Sequence, residues 1–195
     1  MSQKIADQII AWANSGDEKR EIARKLYLIL PTAAFLDNAD DQYRVFSRVS
    51  DSLGVPISAV QIVGSAKTGI SLVKGTRFRA AESDLDIAIV DPGLYIRMME
   101  VALKVSKSFN DGLLWEDKLS RDQFLFNLQR GIFVPRLMPR CSQKTEWITL
   151  FGDLTRDFKA LFKSVSAYVY ASETFFEAKQ IEAVKHFLST KGIVQ

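Results

Sequence analysis

The apolar residues of this chain keep two different periods. Up to residue 53 they recur every three or four positions. Ile5, Ile9, Ile10 and Trp12 predict a first helix over 2–14, which Asn14, Ser15 and Gly16 end. Asp17 is placed to cap a second helix that runs to Leu30, with Ile22, Leu26 and Ile29 on one face and Pro31 as its stop. Tyr43, Phe46, Val49 and Leu53 predict a third over 40–53, closed by Gly54. The period then shortens. Residues 59–63 are apolar and β-branched, which predicts a strand, and Gly64-Ser65 closes it. A short helix is expected over 66–72 and a loop at 74–77. A second strand is expected over 84–90, ended by the turn Asp91-Pro92-Gly93.

Helical spacing returns with Ile96, Met99, Leu103 and Val105, predicting a helix over 94–109 that Asn110-Asp111-Gly112 breaks. Another helix is expected over 119–129, then a third strand over 131–134, ended by Pro135. Phe151, Leu154, Phe158, Leu161, Phe162 and Val165 form a wide apolar stripe. It predicts one helix from 142 to 164, with its aromatics in the core, and a last helix follows over 166–190. Helices flanking a few strands indicate an α/β or α+β chain. The expectation is α+β: a small mixed sheet flanked by helices, a core over 1–140 that includes the N-terminal helices, and a helical C-terminal segment over 141–195 packed on it. No internal repeat, low-complexity tract or Pro/Ser-rich linker divides the chain.

Composition narrows the chemistry. With 195 residues, 47% of them apolar, the chain can bury a core without disulfides. Its one cysteine, Cys141, leaves no intrachain disulfide, which suits a reducing, cytoplasmic setting. One histidine, His186, and one cysteine cannot supply the four ligands of a structural zinc site. A Ser-His-Asp triad would have to use His186, and no nucleophile-elbow motif accompanies it. No apolar run approaches the roughly 20 residues that cross a bilayer, and the N-terminal stretch is amphipathic rather than signal-like. Net charge is only +3, but from Lys118 to Lys144 six basic residues meet one acid, Asp122. Such a stretch suits the neighbourhood of a phosphate site, and equally a solvated helix face and strand end.

The chemistry concentrates in IVGSAKTGISLVKGTRFRAAESDLDIAIVD, residues 62–91. Side chains alternate across a strand, so Asp84 and Asp86 share one face while Leu85, Ile87 and Ile89 take the other. Two carboxylates on one face repel each other. A divalent cation reverses the sign, because Mg²⁺ prefers hard oxygen ligands and fills its other positions with water and phosphate oxygens. The plainer alternative is a strand entrance, with Asp84 capping a turn and Asp86 at the rim. Gly64-Ser65 lies between a strand and a helix, where glycine lets backbone approach a phosphate and the Ser65 hydroxyl adds a donor. The order Gly64-Ser65-Ala66-Lys67-Thr68-Gly69 is not that of a Walker A loop.

A strand, Gly64-Ser65, a short helix, then Asp84 and Asp86 on the next strand together resemble the nucleotidyltransferase superfamily, whose fold is that of DNA polymerase beta. Gly75-Thr76 and Ser83-Asp84-Leu85-Asp86 look most like the bacterial cyclic-dinucleotide synthases and the oligoadenylate synthases, and somewhat like the minimal nucleotidyltransferases of toxin–antitoxin loci. The likeness covers residues 63–90. It implies that Ser65 and the Gly64 backbone meet the β- and γ-phosphates of a nucleoside triphosphate. It also implies that Asp84 and Asp86 hold two Mg²⁺ (or Mn²⁺) ions, and that Lys67, Lys74, Arg77 and Arg79 are phosphate contacts. The implied reaction moves NMP from the NTP to a hydroxyl of a nucleotide, an RNA end or a protein, with no membrane involved. A role in bacterial phage defence or as a toxin component rests on the resemblance alone. Two other readings stay open: a degenerate module that binds nucleotide or a partner without turnover, and a helix-rich interaction protein whose acid pair is structural.

The sequence departs from the pattern in two ways. The interval from Gly64-Ser65 to Asp84 is long, with its excess at 69–82, expected as a loop over the nucleotide. Active members also use a third carboxylate from a later strand. The expected late strand, 131–134, has none, and Asp91, Asp111, Glu116, Asp117 and Asp122 fall at a strand end or in helix and loop.

Overall fold

Leu85, Ile87 and Ile89 are fully buried, while Asp86 between them is half-buried and Asp84 is exposed. That alternation makes residues 85–90 a strand with two unlike faces. In the computed structural model, which describes residues 2–193, it is β2 (Leu85–Val90), at the centre of a four-stranded sheet. β1 (Val60–Val63) runs antiparallel along one side, with Val63 opposite Asp86. β4 (Val165–Tyr170) runs parallel along the other side, with Asp86 opposite Ser166 and Ala88 opposite Tyr168. β3 (Ile132–Phe133) pairs antiparallel with the far end of β4, giving the order β1-β2-β4-β3.

Eight α-helices flank this mixed sheet among the described residues, so the chain is α+β as expected. The face bearing Leu85, Ile87, Ile89, Val165, Ala167 and Val169 packs on α3 (Ala39–Leu53), α5 (Pro92–Val105), α6 (Lys118–Gln129) and α7 (Ser142–Asp157). The opposite face carries Val63, Ala88 and Tyr170. It is covered by α1 (Ser2–Asn14), α2 (Lys19–Arg24, continued by a π turn over Lys25–Ile29) and α8 (Glu173–Thr190). α8 is clamped to α2 through buried Glu177, which accepts from Arg20 at 2.9 Å and from Arg24.

Local chemistry sets the helix ends. The Asp91 carboxylate accepts from the Leu94 amide at 2.6 Å to start α5, with Pro92 in the first turn where no amide is needed. Asp117 caps α6 at the Ser120 amide, 2.6 Å away. α3 ends at Gly54 with φ +62°, the left-handed conformation glycine adopts without strain. α4 (Gly64–Thr68) occupies the turn after β1, starting and ending earlier than the expected 66–72. α5 stops at Val105, before the expected 109, because Lys107, Ser108 and Phe109 all take positive φ.

One expectation is overturned. The apolar stripe does not make a single helix from 142 to 164 with another from 166: α7 ends at Asp157, and residues 165–170 are strand β4. Segment 141–195 is therefore not helical throughout, and the sheet draws on both sides of residue 140. Leu161 and Phe162 still pack into the core, but from the turn before β4. No helix among the described residues is long and apolar enough to cross a membrane.

Candidate functional site

On the α8 side of the sheet, the strand ends nearest α4 change from apolar to polar. Asp84 and Asp86 leave β2 on that face, and Ser164 and Ser166 leave the β4 side of it. The serine hydroxyls donate to the acids: Ser164 Oγ to Asp84 Oδ1 at 2.6 Å, and Ser166 Oγ to Asp86 Oδ1 at 3.0 Å. Each acid is thus steadied on one oxygen, and its Oδ2 has no hydrogen-bond partner among the described residues. The segment before β2 is zipped to the segment before β4, since the Leu85 amide donates to the Ser164 carbonyl at 2.8 Å and the Lys163 amide to the Ser83 carbonyl at 2.9 Å. The acids therefore stand on two joined strands.

The glycine corner lies against the pair. Gly64 has φ +66°, and a Cβ added there would sit 3.2 Å from Oδ2 of Asp86. Glycine is required twice over, by the dihedral and by the close approach of backbone to carboxylate. Burial raises the Asp86 carboxyl above the usual carboxylate range; the Ser166 hydroxyl works the other way, Asp84 adds to the rise, and Lys74 opposes it. Burial, then Asp86, likewise hold the Tyr168 phenol above its ordinary value.

A cleft of about 370 Å³ opens here between the sheet and α8, lined by Gly64, Asp86, Tyr168, Lys179, Gln180 and His186 among others. Of the residues the sequence singled out, Gly64 and Asp86 line it, and Asp84 stands beside Asp86 on the same face. Ser65 follows Gly64 in the corner but is not in the cleft wall. Lys74 is exposed and close enough to act on the Asp86 charge. Arg77 is exposed, and its backbone pairs with Ile70 to close a small hairpin across the long interval. That hairpin reaches α8 through a 3.1 Å hydrogen bond between His186 Nε2 and the Val73 carbonyl.

Lys67 is turned elsewhere. Its ammonium donates to the Leu30 carbonyl at 2.6 Å, at the end of the π turn after α2, and the residue is buried. It satisfies a helix-terminal carbonyl that Pro31 leaves open, which is a packing task rather than a phosphate contact. Burial brings its pKa down from 10.5 to about 8.

Sequence reasoning missed Ser164, Ser166 and Tyr168, together with Lys179 and the cleft role of His186. The alternation Val165-Ser166-Ala167-Tyr168-Val169-Tyr170 was the available signal. The late strand beside the acid pair is β4, not 131–134, and it too carries no carboxylate. Among the described residues no group of three or more His, Cys, Asp or Glu is gathered to hold a metal ion. No family model, curated protein or solved structure matches the chain.

Proposed function

We propose that this protein is a magnesium-dependent nucleotidyltransferase that binds a nucleoside triphosphate across Gly64, Asp84 and Asp86 and passes its NMP unit to a hydroxyl acceptor. The observation that carries this reading is the Gly64 backbone packed on the Asp86 carboxylate, with Asp84, just before β2, close enough to act on its charge. Two adjacent acids repel each other unless a cation sits between them and a ligand, and a Cβ at Gly64 would press on the Asp86 carboxylate. The order of the elements supports the nucleotidyltransferase-like form of the fold: a strand, Gly64-Ser65, a short helix, the acid-bearing strand β2 beside it, and a later strand flush against the acids.

The donor set fits one magnesium ion. Two hard carboxylate oxygens, the Oδ2 atoms of Asp84 and Asp86, are not engaged by the serines, and Mg²⁺ commonly takes one or two carboxylates and completes its shell with phosphate and water. Bound there, the ion would offset the negative charge of the triphosphate. A second ion of the kind the resemblance implies has no third carboxylate to hold it. The remaining work falls to the chain: Ser164 and Ser166 orient the acids, and Lys74 contributes positive charge from the hairpin. In the transfer, the acceptor oxygen bonds to the α-phosphorus as the bond to the pyrophosphate oxygen breaks. Pyrophosphate leaves with that electron pair, and the acceptor proton passes to solvent.

A second reading has its own support. Serines stand where a third acid would complete the site, which favours a module that binds nucleotide without transferring it. Two measurements separate them. A thermal shift with NTP plus Mg²⁺, lost in Asp84→Ala and Asp86→Ala, supports binding. Incorporation of label from an α-³²P-NTP, lost in the same variants, supports transfer. If neither NTP nor metal moves the melting curve, both readings fall and the acid pair is structural.

A further inference from the structure

A second cavity lies beside the acid pair. About 600 Å³ of space wraps the free edge of β4, between that strand, the second half of α6, the turn after β3 and the middle of α7. β3 covers β4 only at Val169 and Tyr170, so residues 165–168 border this space from both faces of the sheet. Its walls are apolar, built by Trp147, Ile148, Phe151, Ile132 and Val134, with the Trp147 and Phe151 rings 4.8 Å apart. Its polar groups are Ser166, Tyr168 and Tyr170 along β4, Thr155 and Lys179 beside them, and three more at two further places. Gln123 and Asn127 lie one turn apart on α6. Arg136 stands at the mouth, exposed, with no ion pair or hydrogen bond from its side chain among the described residues.

This cavity joins the acid site. Tyr168, Tyr170 and Lys179 line both spaces, and Ser166, on the wall of the larger one, donates its hydroxyl to Asp86. A molecule lying in the apolar arm with one end at Ser166 reaches the acids without entering the space beside Gly64. We propose that this arm is the acceptor subsite, and that the acceptor is a small molecule carrying a flat heteroaromatic ring and an anionic group, not an RNA end or a protein side chain. The volume suits one such molecule. The aromatic walls suit a flat ring, the Gln123 amide and the Asn127 side-chain oxygen suit its edge, the Asn127 nitrogen being held by the Gln123 carbonyl, and Arg136, with Lys179 shared with Glu182, suits the anion. A polymer would need an open charged track, whereas this arm is mostly apolar. The assignment rests on the nucleotidyltransferase reading for the reaction, but not for the binding.

Gly152 allows a clean test. It lines the arm from the interior of α7, and a Cβ there would meet nothing within 4 Å. Gly152→Leu therefore adds a bulky side chain at the wall of the arm without a clash at Cβ and improves helix propensity, and its melting curve is checked first. The probe is radiolabelled AMP in equilibrium dialysis, with EDTA present and NTP absent, where the uncovered acid pair repels the phosphate. Wild type and Asp84→Ala/Asp86→Ala are expected to retain AMP alike. Gly152→Leu should lose retention at least tenfold, and Arg136→Glu should weaken it. No retention by wild type, or equal retention by Gly152→Leu, overturns the proposal. Loss in Asp84→Ala/Asp86→Ala but not in Gly152→Leu overturns it too. In the transfer assay, label should move to AMP rather than to an RNA oligonucleotide or the protein itself, and Gly152→Leu should abolish that while keeping the Mg²⁺-NTP thermal shift. Label on RNA or protein that survives Gly152→Leu would sink the acceptor assignment. Absence of any Mg²⁺-NTP shift in wild type sinks the nucleotide reading instead, and leaves the AMP dialysis to decide the arm.

Discussion

Burial dominates the energetics of Asp86. Its carboxyl is raised above 3.8 mainly by burial, so the folded state binds this proton more tightly than the unfolded chain does. The group's contribution is therefore most favourable at low pH and declines as pH rises from the unfolded value through the folded one. At neutral pH the bare carboxylate is a net cost. Asp86→Asn should raise the metal-free melting temperature at pH 7, and the gain should vanish at acid pH, below the ordinary carboxylate range. The same variant should lose the Mg²⁺-NTP shift. Calorimetry at the two pH values checks both, and a destabilised variant at pH 7 would contradict the argument. Lys67 works with the opposite sign. Its pKa falls from 10.5 to about 8, so across that window the unfolded chain holds more protons and stability rises with pH. Burial raises the phenols of Tyr27 and Tyr170, which reverses the trend near their ordinary range. Urea denaturation between about pH 8 and 9.5 should show the rise in wild type and not in Lys67→Met.

At the level of elements, β1, β2 and the acid pair were legible in the sequence because their residues obey period two between strong turn signals. Gly64-Ser65 and Asp91-Pro92-Gly93 bracket them. β4 was not legible. No glycine or proline occurs between Gly152 and Gly192, so nothing punctuates the end of α7 or the start of α8. Phe158, Leu161, Phe162 and Val165 also continue the helical spacing, because a turn that packs on the core buries residues at intervals a helix would use. The partners of the acids were lost with that strand, and Lys67 was misassigned because sequence spacing does not reveal a carbonyl 37 residues away. β4 also offers a direct experiment. Ser166→Asp adds a third carboxylate in register with Asp86. It should lower the metal-free melting temperature, and millimolar Mn²⁺ should restore it more than in wild type. Equal metal responses would show that the Ser166 position does not face a cation. Gly131 is a second point where elements meet. It has φ +66°, and a Cβ there would overlap the Phe175 ring at 2.3 Å. Gly131→Ala should destabilise by about 1–3 kcal/mol, and less so in a Phe175→Ala background.

For the molecule as a whole, the sheet is a single object assembled from distant stretches. The central strand β2 is flanked by β1, from the stretch just before it, and by β4, from the last sixth of the 195 residues. Both apolar layers depend on α7, β4 and α8. A chain ending at residue 140 would leave one edge of β2 unpaired and both layers uncovered, so it should show no dispersed amide spectrum. A folded 1–140 fragment would contradict this. The serine that steadies each acid lies 80 residues beyond it. During synthesis, then, the acid pair emerges first and waits, mutually repelling and unsupported, until 80 further residues have followed it. The polar corner is assembled only once β4 has paired with β2.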